Sequence, residues 1–400
     1  LGKKIILLFL LSYIFYIFFY IGTHKKDYQW DFKTYYFASK AHSLGLNPYG
    51  LKNLSKIAKE KIRFRFIYPP ITLWFFKIFS QFNYYQSFFL FLFFKLCLLI
   101  SILLLWRKEF IKTDNHLFFY LFCLLAFNST IYLDILAGNI SIIEQFFLWF
   151  GFYFLLKDRL LIFCIFIAIA SIFKILPIVF LLLILISKRH DKYYYLFSAG
   201  VAFFGVLMLS YFLEPHLFED FIYFARQSFE ARGLINPSTF TFVNDIFSPL
   251  SKKIDYNIYS MILIITYLII MSLIIGISLK SYYLLKNSMY KSKNKIVIFL
   301  FCLVYVLILP RFKDYSYILL IVPTYYLIEN LKLKRGNYFL FIICILSTPY
   351  NVDLPGLKTI FHYLWTYYPL VIAYMIWILY VIWISKLKNS NLYRDDVLLS

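Results

Sequence analysis

The chain has 400 residues, 62% of them hydrophobic and 15% charged, with a formal net charge of +21. Soluble domains are nearer half apolar and a quarter charged, and membrane barrels are built from short alternating segments, so long continuous apolar runs exclude both. The basic excess does not make a nucleic-acid binder, because many Lys and Arg residues fall in short loops between apolar runs, where they orient helices and meet anionic lipid.

In chain order, apolar runs at 5–22, 85–106, 117–133, 139–156, 193–212, 259–281, 296–309, 315–330, 338–348 and 364–385 read as about 10 full spans. The first follows Lys3 and Lys4, and Gly22-Thr23-His24-Lys25 is a poor cleavage site, so this run is expected to stay as a span. Residues 34–64 read as an amphipathic helix, a turn at Gly45 to Gly50 and a second, basic helix, with Pro69-Pro70 opening a new segment. Residues 160–186 are too long for one simple span and are interrupted by Lys174 and Pro177. They are expected to be two half-helices that dip in and return, since broken helices at membrane depth line cavities.

With that choice the short basic loops share one face: Lys3/Lys4, Arg107-Lys108, Lys157/Arg159, Lys188-Arg189, Lys286 to Lys295, Lys332 to Arg335 and Lys386/Lys388. This face is expected to be cytoplasmic. The opposite face receives 23–84, 134–138, 213–258, 310–314 and 349–363. The expected fold is therefore an all-α integral membrane protein, one polytopic helical bundle over 1–400. Residues 23–84 form a structured outside loop carrying amphipathic helices, and 213–258 form a second outside loop. The expected location is the cytoplasmic (inner) membrane.

Polar residues next to apolar runs collect on the outside face. Asp31, Tyr35, Tyr36, Arg65 and Tyr68 come from the first loop, and Asp134, Gly138, Asn139 and Glu144 from the next. Lys174 comes from the broken pair, Arg226, Asn236, Ser238, Thr239 and Asn244 from the second long loop, and Arg311, Lys313 and Tyr317 from a later turn. Asp31 has two readings, a functional carboxylate at a membrane–water boundary or a helix N-cap. For Arg226 and Arg232 the simpler role is lipid head-group contact. The five cysteines, Cys97, Cys123, Cys164, Cys302 and Cys344, show neither metal-ligand spacing nor pairing, and His24, His42 and His362 have no metal-like spacing.

Acid, amide and cation groups together suit glycosyl transfer from a lipid-phosphate donor. A carboxylate takes the proton of an attacking hydroxyl. Lys and Arg stabilise the leaving phosphate, for which Lys174, Arg311, Lys313 and Arg65 are the candidates. Tyr35, Tyr36, Tyr68, Asn139, Asn236 and Ser238 are candidates for sugar and acceptor contacts. The chain has no nucleotide-cradling Gly-rich loop and no Asp-x-Asp pair in a suitable context, so neither cofactor nor metal is expected.

Several short motifs occur in order: Asp31-Phe32 with Tyr35-Tyr36, then Ala38, Ala41, Leu44-Gly45 and Asn47-Pro48-Tyr49. Further on come Phe66-Ile67-Tyr68-Pro69-Pro70, Gly138-Asn139-Ile140-Ser141, Lys174-Ile175-Leu176-Pro177 and Asn236-Pro237-Ser238-Thr239. In these the chain resembles the bacterial GT-C glycosyltransferases of family 87, the phosphatidylinositol-mannoside mannosyltransferase type. It departs from that pattern at Asn139, where the family has a Gly-Gln-x-Asn-like loop. It departs again at Pro310-Arg311-Phe312-Lys313-Asp314-Tyr315, where the family has a Pro-x-Ser-Trp-x-His-His segment. The resemblance implies a GT-C bundle and a polyprenyl-phosphate sugar donor, with mannose the sugar of known members. It further implies a lipid-linked or cell-envelope glycan acceptor, inversion, Asp31 as acceptor-activating base and Lys174 as a donor-side cation. A transporter or flippase of lipid-linked saccharides is the alternative, and would show paired broken helices in two related halves; an envelope polymerase or ligase is a third.

Overall fold

A computed structural model describes residues 2–23, 28–113, 115–227, 233, 235–288, 290, 292–331 and 363–389. The expected span at 338–348, Lys332 to Arg335, Cys344, most of the 349–363 loop, Arg232, His24 and His362 lie outside the described residues. Every regular element among the described residues is helical. Five of these helices are long and apolar enough to cross a membrane: Tyr84–Ile111, His116–Ala137, Lys192–Leu213, Tyr256–Lys286 and Tyr368–Leu387. The protein is a multi-pass membrane protein. Its backbone divides into two compact units, Leu1–Tyr120 with Ile131–Phe229 and Leu121–Thr130 with Glu230–Ser400.

The first unit opens with α1, Gly2–Thr23, which packs on α5, Tyr84–Leu105. Gly22 faces the Phe89 ring there, and a Cβ on it would stand 2.9 Å from that ring unless the ring moved. Between them lies a platform of α2 (Trp30–Ser43), α3 (Leu51–Ala58) and α4 (Thr72–Ser80). Aromatic rings fill it, with Phe32 stacked on Phe91 at 4.3 Å and Tyr35 against Phe76 at 4.6 Å. These contacts bury large apolar areas and lock α2 in rotation, so Asp31 and the Tyr35 hydroxyl are held at a fixed angle. The helix–turn–helix expected over 34–64 is present as α2 and α3.

The bundle of this unit contains α6 (His116–Ala137), α7 (Ser141–Leu156), α8 (Leu160–Phe173), a 3-10 helix at Leu176–Ile186, α9 (Lys192–Leu213) and α10 (Pro215–Gln227). The interruption expected at 160–186 falls at Lys174, which has extended backbone (φ −138°, ψ 116°), with Pro177 in the first turn of the 3-10 helix where its missing N–H costs nothing. The chain does return. Ser187 Oγ donates to Asp158 Oδ1 at 2.6 Å, so the exit of the pair touches its entrance. The 16 residues of α7 span about 24 Å, the 14 of α8 about 21 Å and the 11 of the 3-10 helix about 22 Å. The pair is thus a hairpin as deep as α7, not a shallow dip.

One break was not announced by any Pro or Gly. Within α6, Phe127, Asn128 and Ser129 have φ of 52°, 62° and 54°. Left-handed backbone costs roughly 1–2 kcal/mol per L-residue. This stretch of α6, 121–130, belongs to the second unit, and packing within that unit offsets the cost: Phe127 stacks on Tyr317 at 5.8 Å, and Thr130 Oγ1 donates to the Asp314 carbonyl at 2.6 Å.

The second unit also holds α11 (Thr239–Phe247), α12 (Tyr256–Lys286), α13 (Lys293–Ile308), a 3-10 helix at Asp314–Leu320, α14 (Ile321–Asn330) and α15 (Tyr368–Asn389). The 31 residues of α12 are about 46 Å long, so this helix tilts or extends beyond a hydrocarbon core of about 30 Å. Trp377 Nε1 donates to Ser278 Oγ at 2.9 Å, joining α15 to α12 by a buried polar contact.

Candidate active site

Asp31 is not the cap of α2. Gln29 holds that position, and Asp31 lies in the first helical turn, where the helix dipole favours a carboxylate. Its Oδ2 accepts from Asn139 Nδ2 at 2.7 Å. The same amide nitrogen donates to the Tyr35 hydroxyl at 3.2 Å, and Tyr35 shares a 2.9 Å hydrogen bond with Tyr68. Asp31 and Tyr35 are four apart on α2 and so share a face. Gly138, the left-handed C-cap of α6 (φ 66°), turns the chain to deliver Asn139. A Cβ there would come within 3.0 Å of Phe32 Cβ and 2.9 Å of Gln29 Cβ, so only glycine lets this turn approach α2.

The other side of Asn139 faces cation chemistry. Its Oδ1 accepts from the Ser141 N–H at 3.1 Å and the Ser141 hydroxyl at 3.0 Å. Lys174 Nζ, at the tip of the hairpin, donates to Ser141 Oγ at 2.8 Å and pairs with Glu144 Oε2 at 2.5 Å. A single polarised chain therefore runs from Lys174 through Ser141 and Asn139 to Asp31, each donor pointing toward the carboxylate. Such chains strengthen one another at low dielectric. They also fix the Asn139 amide, with its oxygen toward Ser141 and its nitrogen toward Asp31.

Behind this chain lies a fully buried ion pair. Lys95 Nζ, on α5, sits 2.6 Å from Asp134 Oδ1 and donates to the Asp134 carbonyl at 2.8 Å. That carbonyl also accepts the Asn139 N–H at 3.2 Å, so Lys95 braces the same α6 terminus that presents Asn139. Asp134 is within Coulombic range of both Lys174 and Asp31. Lys95 is not among the residues expected from sequence, although a lone cation inside the 85–106 run is a signal for it. The partners of Glu144 and Asp134, and the part played by Ser141, are visible only in the fold.

Other expected site residues lie elsewhere in this unit. Tyr36 is fully buried, packs edge-on against Tyr84 and donates its hydroxyl to the Phe82 carbonyl at 2.8 Å, so its structural role is packing. Arg65 lies over the Phe224 ring of α10 at 4.5 Å. It belongs to a seam in which His42 meets Glu214 at 2.7 Å and Asn47 Nδ2 donates to Asp220 Oδ2 at 2.5 Å. Burial, with the Glu214 and Asp220 carboxylates nearby, pushes the Tyr49 phenol up, so it stays protonated and donates to the Tyr68 carbonyl at 2.8 Å.

In the second unit, Asn236 and Ser238 do not stand as open sugar contacts. α13 ends at an extended Leu309, which leaves carbonyls without helical partners. Thr239 Oγ1 donates to the Leu307 carbonyl at 2.7 Å, Tyr267 to Ile308 at 2.5 Å and Ser238 Oγ to Pro310 at 2.7 Å. Asn236 Oδ1 accepts the Phe312 N–H at 2.6 Å. Together these side chains hold the turn that carries Arg311 and Lys313, with Lys313 Nζ 5.8 Å from the Tyr315 ring centre.

Gln29, near Asp31, is fully inaccessible, and among the described residues neither its Oε1 nor its Nε2 has a hydrogen-bond partner. Its backbone is left-handed (φ 55°, ψ 40°), and its N–H donates to the Leu136 carbonyl at 2.6 Å. An orphaned buried amide costs about 1–3 kcal/mol.

A search of curated proteins finds no match to the chain. A family model does match, over residues 66–310; this stretch contains Tyr68, Lys95, Asn139, Lys174, Asn236 and Ser238, while Asp31 precedes it. With more than half of its length covered by that model, the chain belongs to glycosyltransferase family 87 and is a membrane glycosyltransferase.

Proposed function

We propose that this glycosyltransferase moves a hexose, mannose in the first instance, from a polyprenyl-phosphate donor to a lipid-linked or cell-envelope glycan acceptor, with Asp31 as general base. The hydrogen-bonded chain from Lys174 to Asp31 carries this reading. It keeps a carboxylate oriented at the edge of a helical bundle and couples it to a cation. As the acceptor oxygen attacks the anomeric carbon, its proton passes to Asp31. The bond from that carbon to the phosphate oxygen breaks, its electron pair leaves on the lipid phosphate, and attack opposite the leaving group inverts the centre.

Lys174 is already paired with Glu144, so its part is to polarise Ser141 and Asn139 and thereby hold Asp31 ionised and aimed. Arg311 and Lys313 are candidate phosphate cations of the second unit by residue type, on a turn held by Asn236 and Ser238. Tyr35 and Tyr68 supply ring faces and hydroxyls suited to a sugar. The basic loops of the charge map support placing the reaction on the outer face of the cytoplasmic membrane.

The test is transfer in vesicles. Purified protein is given radiolabelled undecaprenyl-phosphate mannose and envelope glycolipid extract, wild type beside Asp31→Asn. Loss of transfer with normal insertion is the expected outcome; turnover by the variant comparable to wild type overturns the base role. Mass spectrometry of envelope glycolipids from cells with and without the gene identifies the sugar and acceptor.

A further inference from the structure

We infer that Gln29 is a second recognition residue of the Asp31 site, whose carboxamide hydrogen-bonds a sugar hydroxyl when substrate binds; this rests on the glycosyl-transfer reading above. Three observations lead there. The side chain is wholly buried with both polar atoms unpaired among the described residues, and a buried polar group of this kind calls for an explanation. It lies two residues before Asp31 and against Gly138, whose neighbour Asn139 holds the Asp31 carboxylate. Among the described residues no hydrogen bond retains the amide where it rests, while Asp31, on the same stretch of chain, is partly exposed.

A carboxamide suits this role. It donates and accepts at adjacent atoms, and a sugar hydroxyl does the same. It stays uncharged, so it does not disturb the Asp31 carboxylate as a second acid would. A site built to hydrogen-bond a hydroxyl discriminates strongly against a ligand lacking it. The hydroxyl comes from the donor sugar or from the acceptor sugar, and the experiment separates them.

The full chain in nanodiscs is compared as wild type, Gln29→Leu and Gln29→Asn. Leu removes the amide at similar volume. Asn tolerates left-handed backbone well but is one methylene shorter, so it keeps the fold and loses reach. The probes are undecaprenyl-phosphate mannose and octyl mannoside, each with a series lacking one hydroxyl at a time. The expected result is a KM raised roughly 10- to 100-fold on one arm only, with kcat little changed. On that arm one deoxy analogue shows the same loss with wild type and no further loss with the variant. Melting of the ligand-free protein is expected to be unchanged or raised in Gln29→Leu, because an unpaired amide has been removed.

Unchanged KM on both arms for both variants overturns the inference. So does a ligand-free melting point several degrees lower in Gln29→Leu, which would mean that the amide is already satisfied. If wild type transfers no sugar from any polyprenyl-phosphate donor, the transfer reading fails by itself. The inference is then judged by the thermal shift on octyl mannoside, expected in wild type and lost in Gln29→Leu, and overturned if the two shifts are equal.

Discussion

The two units use similar polar side chains for opposite ends. In the first, Asp31, Asn139, Ser141, Lys174 and Glu144 spend their hydrogen bonds largely on one another, and three of the five are charged. In the second, Asn236, Ser238 and Thr239 all reach backbone groups at and just beyond the end of α13, although Ser238 also meets Thr241 and Thr239 meets Tyr374. Side chains that bond each other form a circuit whose protons and charges can shift. Side chains that bond backbone form a clamp. Residue type alone does not distinguish the two; the partner does.

The comparison breaks most decisively at Asp31. Asp31→Asn is expected to lower kcat by roughly 100- to 10,000-fold, the range for losing a general base, with melting unchanged. Next in size is Lys174→Met, which strands the buried Glu144 carboxylate. Loss of one partner of a buried pair costs about 3–5 kcal/mol, so thermal stability drops sharply. Adding Glu144→Leu restores stability and not activity, which melting and vesicle transfer together would show. Recovery of activity in the double variant would mean that Lys174 serves only to neutralise Glu144.

Ser141→Ala is expected to act inside the circuit, lowering kcat roughly 10-fold by cutting one hydrogen bond between Lys174 and Asn139. It should move the acid limb of the pH–rate profile upward, because a less supported carboxylate holds its proton to higher pH. Ser238→Ala is the matching cut in the clamp. It is expected to cost about 1 kcal/mol of stability and to leave the pH profile where it was. A shifted profile in Ser238→Ala, or an unmoved one in Ser141→Ala, would erase the distinction between the units.

Much of the helical framework was legible in the sequence. Hydropathy placed α5, α7, α9, α12 and α13 within a few residues, because a membrane helix satisfies its own backbone and needs only apolar length. Lys174 with Pro177 marked the hairpin, since a cation and a proline inside one apolar run have few structural solutions. Asp31, Asn139 and Lys174 stand out in the sequence as polar groups at a costly depth, and the structure joins them in one hydrogen-bonded chain. What was not legible depends on partners far away in sequence. Lys95 needs Asp134, 39 residues on, to be seen as a brace. The left-handed turn at Phe127–Ser129 is imposed by packing on Tyr317 and carries no local signature. Asn236 and Ser238 read as sugar ligands until the open carbonyls of α13 came into view. Gln29 is an ordinary residue by type, and only its unpaired amide together with its place beside the Gly138–Asn139 turn draws attention to it.

The contact of Ser187 with Asp158 has a consequence for how this protein can diverge. Two legs that leave and re-enter at one level add no net crossing. Relatives can lengthen both legs, shorten both or replace the whole excursion without reversing the sidedness of any later helix. A change in leg length would instead move Lys174 relative to Ser141 and Glu144, and so alter the reach of the lysine that closes the circuit.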